Sequence, residues 1–198
     1  QHFIEHVRYT GDMDFLRERA HPVLKECARF LLDWMVVNPK TGQLVSGPST
    51  SPENRFETPD GEACLTMGCA MDQQIIWDTF TNYLESVTML GCPGELQLEV
   101  EAALANLAPA KIGEDGRLME WPDAFEESEP GHRHVSHLYG LHPGRQYTQT
   151  GDPGMMNAAE KSLDYRISHG GGQTGWSRTW LINFRARLHD GEKAHQDV

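Results

Sequence analysis

The stretch MDQQIIWDTFTNYLESVTMLG, residues 71–91, decides the fold class of this chain. Its apolar residues recur at steps of four and three, at Ile76, Phe80, Tyr83, Val87 and Leu90. Such spacing lays one apolar stripe along a helix, and a stripe of this kind faces a protein core. Gly91 is the residue type that most often follows the end of a helix. The stretch therefore predicts a long helix that is buried on one side and ends at Gly91.

The same periodicity recurs on both sides of this stretch. A helix start is predicted at Asp12, whose side chain suits an N-cap, and Pro22 either kinks the following segment or opens a new helix. The apolar residues after Pro22 again follow a 3.6-residue period: Val23, Leu24, Cys27, Phe30, Leu31, Trp34 and Met35. Further helices are predicted over residues 95–107, 138–141, 155–167 and 176–188. In the last of these, Trp176, Trp180, Phe184 and Leu188 stack at fourfold spacing and are expected to be buried.

Long polar loops separate these helices. Residues 38–63 are dense in Pro, Gly, Ser and Asn, and they predict an ordered loop with a short strand pair near Leu44. Loops of this length inside compact domains are usually functional or disordered, and the aromatic and charged residues here favour function. Helices in series with long loops between alternate pairs are typical of a toroid of helical hairpins, with function collected on the loops at one end. An irregular helical domain fits the same pattern.

Composition narrows the class of partner. The 198 residues carry 17 basic and 29 acidic side chains, a formal net charge of −12. This balance disfavours nucleic acid and anionic membranes, which need clustered Lys and Arg. No apolar run approaches the roughly 20 residues of a membrane span. The chain opens without Met and without a signal-peptide pattern, so Gln1 is not expected to be the biological start.

The four cysteines are Cys27, Cys64, Cys69 and Cys92, and none forms a CxxC pair. A chain of 198 residues does not need disulfides for stability. We expect mostly packed free thiols, with one disulfide as the alternative.

Two segments present carboxylates in rigid surroundings. In PSTSPEN, residues 48–54, two prolines stiffen the loop and hydroxyls can hold its backbone, so Glu53 is held on a firm support. In MDQQ, residues 71–74, Asp72 lies where the strongest helix begins and borders the loops. A solvated Glu in a capped turn and an ordinary N-terminal Asp are the structural alternatives.

A third segment has the residue types that a sugar ring requires. Glu120 and Trp121 are followed by further acids and then by HRHVSH, residues 132–137. The C–H face of a sugar packs on an aromatic ring, while its hydroxyls pair with carboxylates, imidazoles and arginine. The HxHxxH spacing also permits a zinc site or a merely structural loop. Because Arg133 separates the first two histidines and the cysteines are dispersed, we expect sugar contacts and no metal.

The glycine-rich stretch GGGQTGWS, residues 170–177, precedes a predicted helix. Phosphate binding would suit such a loop, but no strand precedes it and no GKS or GKT follows. A flexible loop that delivers Trp176 to the rim of a site fits better. A Ser-His-Asp hydrolase is disfavoured because no GxSxG occurs.

Taken together, these segments resemble the family 95 glycoside hydrolases, mostly α-1,2-L-fucosidases with some α-L-galactosidases. The resemblance extends over nearly the whole chain and rests on motifs in a fixed order: HFIEHVRYTGDMDFL, FLLDWMV, PSTSPENRF, TMGCAMDQQIIWDTF, GRLMEWPDAFEE, HRHVSHLYGLHPG and GWSRTWLINFRARLHDGEKA. It implies an all-α fold, an (α/α)6 toroid, of which residues 1–198 form part of a single catalytic domain.

The resemblance also implies a reaction. Terminal α-L-fucose, α-1,2-linked to an oligosaccharide or glycan, is cleaved with inversion by an acid and a base on opposite faces of the sugar, without a cofactor. The best match to the family's acid is Asp72, with Glu53 as second choice. The implied fucose contacts are Glu120, Trp121, His132, Arg133, His134 and Trp176. An α-L-galactosidase and a non-catalytic sugar-binding domain are the alternatives.

One part of the family pattern is missing from these residues. The family's base is an Asn polarised by an Asp, carried by an HxNxN-like segment and a DGNFG-like segment, and neither motif occurs in the 198 residues. We therefore expect the chain to supply part of the barrel and half of the catalytic pair.

Overall fold

Helices dominate the computed structural model, which describes residues 1–91 and 93–198. The α-helices are α1 (His2–Thr10), α2 (Met13–Phe15), α3 (His21–Trp34), α4 (Ala70–Leu90), α5 (Gln97–Asn106), α6 (Pro153–Ser168), α7 (Gly175–Arg187) and α8 (Gly191–Gln196). The strands are short: β1 (Val36–Val37), β2 (Leu44–Val45), β3 (Ser49–Thr50), β4 (Phe56–Thr58), β5 (Gly61–Ala63) and β6 (Leu65–Thr66). They pair as antiparallel ribbons β1–β2, β3–β6 and β4–β5. The expectation of a mainly helical chain is thus confirmed.

The helix predicted from residues 71–91 is α4. Its stripe is buried as expected, with Ile76, Phe80 and Tyr83 fully inaccessible to solvent. Gly91 follows the last helical residue with φ of 65°, a left-handed conformation that glycine adopts without steric cost. The hydrophobic period and the terminal glycine therefore predicted both the type and the end of this element.

The chain divides into two compact units. The first unit contains Gln1–Gly47 and Ile75–Ala108. Its core draws on α1, α3, α5 and the larger part of α4, and Arg8 of α1 pairs with Glu85 of α4 at 2.6 Å. The strand pair predicted near Leu44 is the β1–β2 ribbon.

Capping explains how the N-terminal helices begin. The Asp12 carboxylate accepts a hydrogen bond from the Phe15 amide at 2.8 Å, which confirms the predicted cap. A π-helical segment, Leu16–Ala20, then leads into α3, where Pro22 lies in the first turn. Pro22 therefore lies in the first turn of α3, which directly follows the π-helical segment, so the backbone stays helical through it.

The buried face of α3 includes only some of the residues in its apolar pattern. Leu24 and Leu31 are buried in the core, whereas Phe30 is 62% exposed and Val23 38% exposed. The apolar periodicity therefore predicts the helix here, but it does not predict which of the apolar residues are buried.

The second unit contains Pro48–Gln74 and Pro109–Val198, so it includes the first turn of α4. Its main core lies among α6, α7 and the loop around Leu138 and Leu141. The helix predicted over 138–141 is instead a short 3-10 turn, Ser136–Leu138, followed by further turns. In α7 Leu181 and Phe184 are buried, but Trp176 is 45% exposed, so the prediction that the whole Trp176 stripe is buried was wrong at its first member.

Cys27, Cys64 and Cys69 are free thiols, and Cys92 lies outside the described residues. Cys27 is exposed and only Cys69 is buried, so the expected packing holds for one of the three. Within residues 1–91 and 93–198, no helix has the length and apolar composition that a membrane span requires.

Candidate active site

All of the predicted site residues belong to the second unit: Glu53, Asp72, Glu120, Trp121, His132, Arg133, His134 and Trp176. Two loops bring several of them together. The loop of residues 48–54 contacts the HRHVSH segment, because the Ser136 hydroxyl donates a hydrogen bond to the Pro52 carbonyl at 2.8 Å. The two motifs that sequence reasoning kept separate therefore form one surface.

Glu53 lies on the open side of this surface. Its side chain is 63% exposed and accepts a hydrogen bond from the Arg133 guanidinium. The Nε2 atom of His134 is 3.9 Å from a Glu53 carboxylate oxygen. A carboxylate, a guanidinium and an imidazole thus share one rim, and each can exchange hydrogen bonds with a hydroxyl-rich ligand.

An aromatic cavity of about 320 Å³ opens beside this rim. The ring centroids of His134 and Trp176 are 4.8 Å apart in a tilted arrangement. The cavity is lined by Pro52, Met71, His134, Val135, Ser136, Tyr139, His142, Trp176 and Trp180. The exposed Trp176, in the first turn of α7, is therefore part of one wall of this cavity.

The two histidines next to the cavity are stacked, with ring centroids 5.2 Å apart. Burial lowers the pKa of His132, and burial together with the Arg133 charge lowers the pKa of His134. Both imidazoles are therefore neutral at pH 7. The Nδ1 atom of His132 accepts a hydrogen bond from the His134 amide at 3.0 Å, which fixes the tautomer of His132 and steadies the backbone behind His134.

Glu120 is buried behind the Glu53 loop rather than on the rim. Its carboxylate accepts hydrogen bonds from Ser51 Oγ at 2.6 Å, Asn54 Nδ2 at 3.1 Å and an Arg166 nitrogen at 2.8 Å. Burial raises the pKa of this carboxyl, but the charge that His137 acquires in acid, the permanent charge of Arg166 and the two loop donors outweigh it and hold the pKa below its usual value. Glu120 is therefore an ionised, fully hydrogen-bonded group.

Asp72 and Trp121 are also covered by protein. Asp72 is 8% exposed and accepts a hydrogen bond from the Ser49 hydroxyl. Burial and the nearby Asp72 charge raise the pKa of the Cys69 thiol to about 12. Trp121 packs on Phe56, with ring centroids 5.1 Å apart, and is 4% exposed.

The HxHxxH spacing does not bring three ligands together. His132 and His134 stack on each other, while the Nδ1 atom of His137 faces Glu120 at 3.6 Å. Across the described part of the chain, no three His, Cys, Asp or Glu side chains are grouped so that they could hold a metal ion.

Sequence reasoning missed Arg166. This side chain is 2% exposed and also pairs with Glu127 at 2.7 Å. It continues the helical spacing of Met156, Ala159 and Leu163, which are buried on α6. An arginine on an apolar stripe is the signal that could have identified it, because a buried guanidinium needs buried acceptors.

An exposed carboxylate beside an aromatic cavity, on a mainly helical scaffold, has the geometry of a carbohydrate site, since aromatic faces pack on sugar C–H groups and polar rims bind hydroxyls. Comparison with known families agrees with this class. Residues 1–198 match the glycosyl hydrolase family 95 catalytic domain, and the chain belongs to that family.

Its relatives carry fucosidase names. The chain is 40% identical over 199 residues to Alpha-L-fucosidase 2 of Arabidopsis thaliana. The aligned region covers all of this chain and 23% of that protein. It is 30% identical over 208 residues to Probable alpha-fucosidase A of Aspergillus niger, covering all of the chain and 25% of that protein. A second Probable alpha-fucosidase A, from Aspergillus oryzae, is 31% identical over 84% of the chain and 23% of its own length. The chain thus spans about a quarter of the length of these relatives.

Proposed function

We propose that the protein containing this chain is a glycoside hydrolase that removes terminal α-1,2-linked L-fucose from oligosaccharides or glycans with inversion. Family membership and the fucosidase names of the relatives support the reaction class. We propose further that residues 1–198 are one part of a single (α/α)6 catalytic barrel. Its substrate is a fucosylated glycan.

The juxtaposition of Glu53 and the aromatic cavity carries this proposal. A volume of about 320 Å³ lies at the lower end of the roughly 300–1,000 Å³ range of small-molecule pockets, which suits one sugar ring. Trp176 offers a flat face for the C–H side of fucose, while Arg133 and His134 offer donors and acceptors for its hydroxyls.

We assign the general acid to Glu53. Inverting hydrolysis needs a carboxylic acid that reaches the glycosidic oxygen. Asp72, the first choice from sequence, is buried against Ser49, whereas Glu53 is open to solvent beside the cavity. A protonated carboxyl does not pair with a guanidinium, so the sugar hydroxyls would take over the donors of Arg133 when substrate binds. The freed Glu53 carboxylate would then take up a proton from solvent and give that proton to the leaving oxygen.

The second half of the reaction belongs to the rest of the protein. As the glycosidic C–O bond breaks, water attacks C1 from the opposite face and loses a proton to a general base. The family's Asn and Asp are the groups we propose for that step. They would come from outside the 198 residues, so this chain supplies the acid and the sugar contacts.

L-Galactose is the alternative substrate within the family. It differs from fucose at one position, where a hydroxymethyl group replaces the methyl group. Burying that hydroxyl against aromatic walls without a partner costs free energy, so the cavity favours fucose. A non-catalytic sugar-binding domain is the other alternative, and turnover separates it from an enzyme.

The test compares variants of the full-length protein on a fucosyl-α-1,2-galactoside. We expect Glu53→Gln to lower kcat by about 10²–10⁴-fold, the usual contribution of a general acid, because its amide cannot protonate the leaving oxygen. Initial products are followed by proton NMR, and we expect β-L-fucose first, as inversion requires.

Glu57→Gln is the matched control, because Glu57 is an exposed acid whose carboxylate accepts a hydrogen bond from the Ser128 hydroxyl, away from the aromatic cavity. We expect it to keep wild-type turnover. A fully active Glu53→Gln enzyme together with an inactive Asp72→Asn enzyme would return the acid to Asp72. Sugar binding without turnover by the wild-type protein would favour the binding-domain alternative.

A further inference from the structure

The loop that presents Glu53 is held from both of its sides by one buried carboxylate. Ser51, two residues before Glu53, donates to one oxygen of Glu120 at 2.6 Å. Asn54, the residue after Glu53, donates to the other oxygen at 3.1 Å. The backbone N–H of Asn54 also donates to the backbone carbonyl of Ser51 at 2.9 Å, which closes the turn.

Glu120 has little capacity left for a ligand. Its side chain is 4% exposed, and its second oxygen is also bound by Arg166 at 2.8 Å. Arg166 in turn binds Glu127 and donates to the carbonyls of Glu129 and Pro130, at 3.2 and 3.3 Å. The charge of the buried Glu120 carboxylate is therefore compensated by Arg166 of α6. Because Arg166 also binds the segment just before HRHVSH, the position of the carboxylate is fixed.

We propose that Glu120 is a positioning residue that sets the location of the Glu53 carboxyl group, instead of a direct sugar contact. This role rests on the proposed function, in which Glu53 is the general acid. Glu120 fixes Ser51 and Asn54, and the backbone between them follows. The side chain of Glu53 is thereby held against Arg133 and 3.9 Å from His134, which lines the cavity. A displacement of about 1 Å in such a group can cost about 10²-fold in rate.

The proposal predicts an effect confined to proton donation. A positioning defect slows a substrate whose leaving group must be protonated, and it spares a substrate whose leaving group departs without that help. A merely structural defect lowers the amount of folded enzyme and slows both substrates alike. The pair of substrates is a fucosyl-α-1,2-galactoside and α-L-fucosyl fluoride.

The experiment uses the full-length protein with Ser51→Ala, which removes one donor to Glu120 and leaves the buried ion pair intact. We expect kcat for the disaccharide to fall about 10–100-fold, with KM little changed, while kcat for the fluoride falls less than about threefold. Glu120→Gln, which keeps the volume but removes the charge bound by Asn54 and Arg166, should give the same selective loss. Thermal melts of each variant report how much enzyme is folded.

Ser128→Ala is the matched control for Ser51→Ala, because it also removes a hydroxyl that donates to a carboxylate, in this case Glu57 at 2.8 Å. We expect it to leave both substrates unaffected. Equal losses on both substrates, or a raised KM with unchanged kcat, would overturn the positioning role, as would an unchanged Ser51→Ala enzyme. A wild-type protein inactive on both fucosides would overturn the proposed function itself.

Discussion

His137 is a histidine held neutral inside the protein. Its side chain is 4% exposed, and burial lowers its pKa from 6.5 to about 4, with the nearby Arg166 charge acting in the same direction. Between these two values the unfolded chain binds a proton that the folded chain does not. The free energy of unfolding therefore rises with pH across this window, and the contribution is complete above pH 6.5.

We predict that this one residue gives the full-length protein a marked acid sensitivity. As pH falls from 6.5 toward 4, protonation of His137 in the unfolded state removes about 3 kcal/mol of stability. His137→Gln, which cannot titrate, should flatten the dependence of Tm on pH over this range. The exposed His195→Gln serves as control and should keep the wild-type slope; a slope unchanged by His137→Gln would contradict the assignment.

The sequence indicated which residue types belong to the candidate site, but it did not indicate which of these side chains are buried. It selected Glu53, Arg133, His134 and Trp176. His134 and Trp176 line the aromatic cavity, while Glu53 pairs with Arg133 and lies 3.9 Å from His134. It grouped Glu120 with them because the local sequence of a carboxylate next to a tryptophan is the same whether the carboxylate is buried or exposed. Residue type and spacing carry chemistry, whereas depth depends on contacts such as Asn54 to Glu120, which lie 66 residues apart.

At the scale of elements, α7 is the support for the cavity wall. Thr174 caps it: the Thr174 hydroxyl accepts from the Ser177 amide at 3.4 Å, while Ser177 Oγ accepts from the Thr174 amide at 3.1 Å. This reciprocal box defines the first turn, in which Trp176 lies. The orientation of the indole toward His134 therefore depends on where the helix begins.

We predict that Thr174→Ala destabilises the full-length protein by about 0.5–2 kcal/mol, the usual cost of losing an N-cap. Because the same turn carries Trp176, KM for the fucoside should also rise. Denaturant titration and steady-state kinetics measure the two effects. Thr179→Ala on the same helix, where the hydroxyl binds only the Trp176 carbonyl in the observed contacts, should change stability far less; an equal loss in both variants would argue against the cap.

Elements with a strong hydrophobic period were predictable from sequence, whereas of the short strands that the structure describes only the pair near Leu44 was predicted. The stripe of α4 and the caps at Asp12 and Gly91 act through contacts within a few residues, so sequence alone specified them. The β3–β6 ribbon pairs Ser49 with Thr66, and no local sequence pattern predicts a pairing between such distant residues. The helix predicted over residues 138–141 is replaced by the 3-10 turn Ser136–Leu138 and further turns, because the four residues LYGL are too few to define a period.

At the scale of the whole molecule, the proposed function divides the catalytic pair between this chain and the rest of its protein. We predict that the isolated 198 residues hydrolyse fucosyl-α-1,2-galactosides negligibly. Glu53 can donate a proton, but the proposed base is not among these residues, and its loss costs about 10²–10⁴-fold. Fucose release is compared between the isolated chain and the full-length protein. Robust turnover by the isolated chain would show that this division is wrong.

The anchoring of the Glu53 loop also sets an order of events during synthesis. Glu120 is made 66 residues after Asn54, and Arg166 a further 46 residues later. At about 5–20 residues per second, a ribosome needs roughly 6–22 s to add the 112 residues between Asn54 and Arg166. The nascent loop lacks the Glu120 carboxylate for the first 66 of these residues, and it lacks the Arg166 guanidinium for the whole interval. The turn that carries Glu53 therefore acquires its geometry late in translation, after most of the second unit has been synthesised.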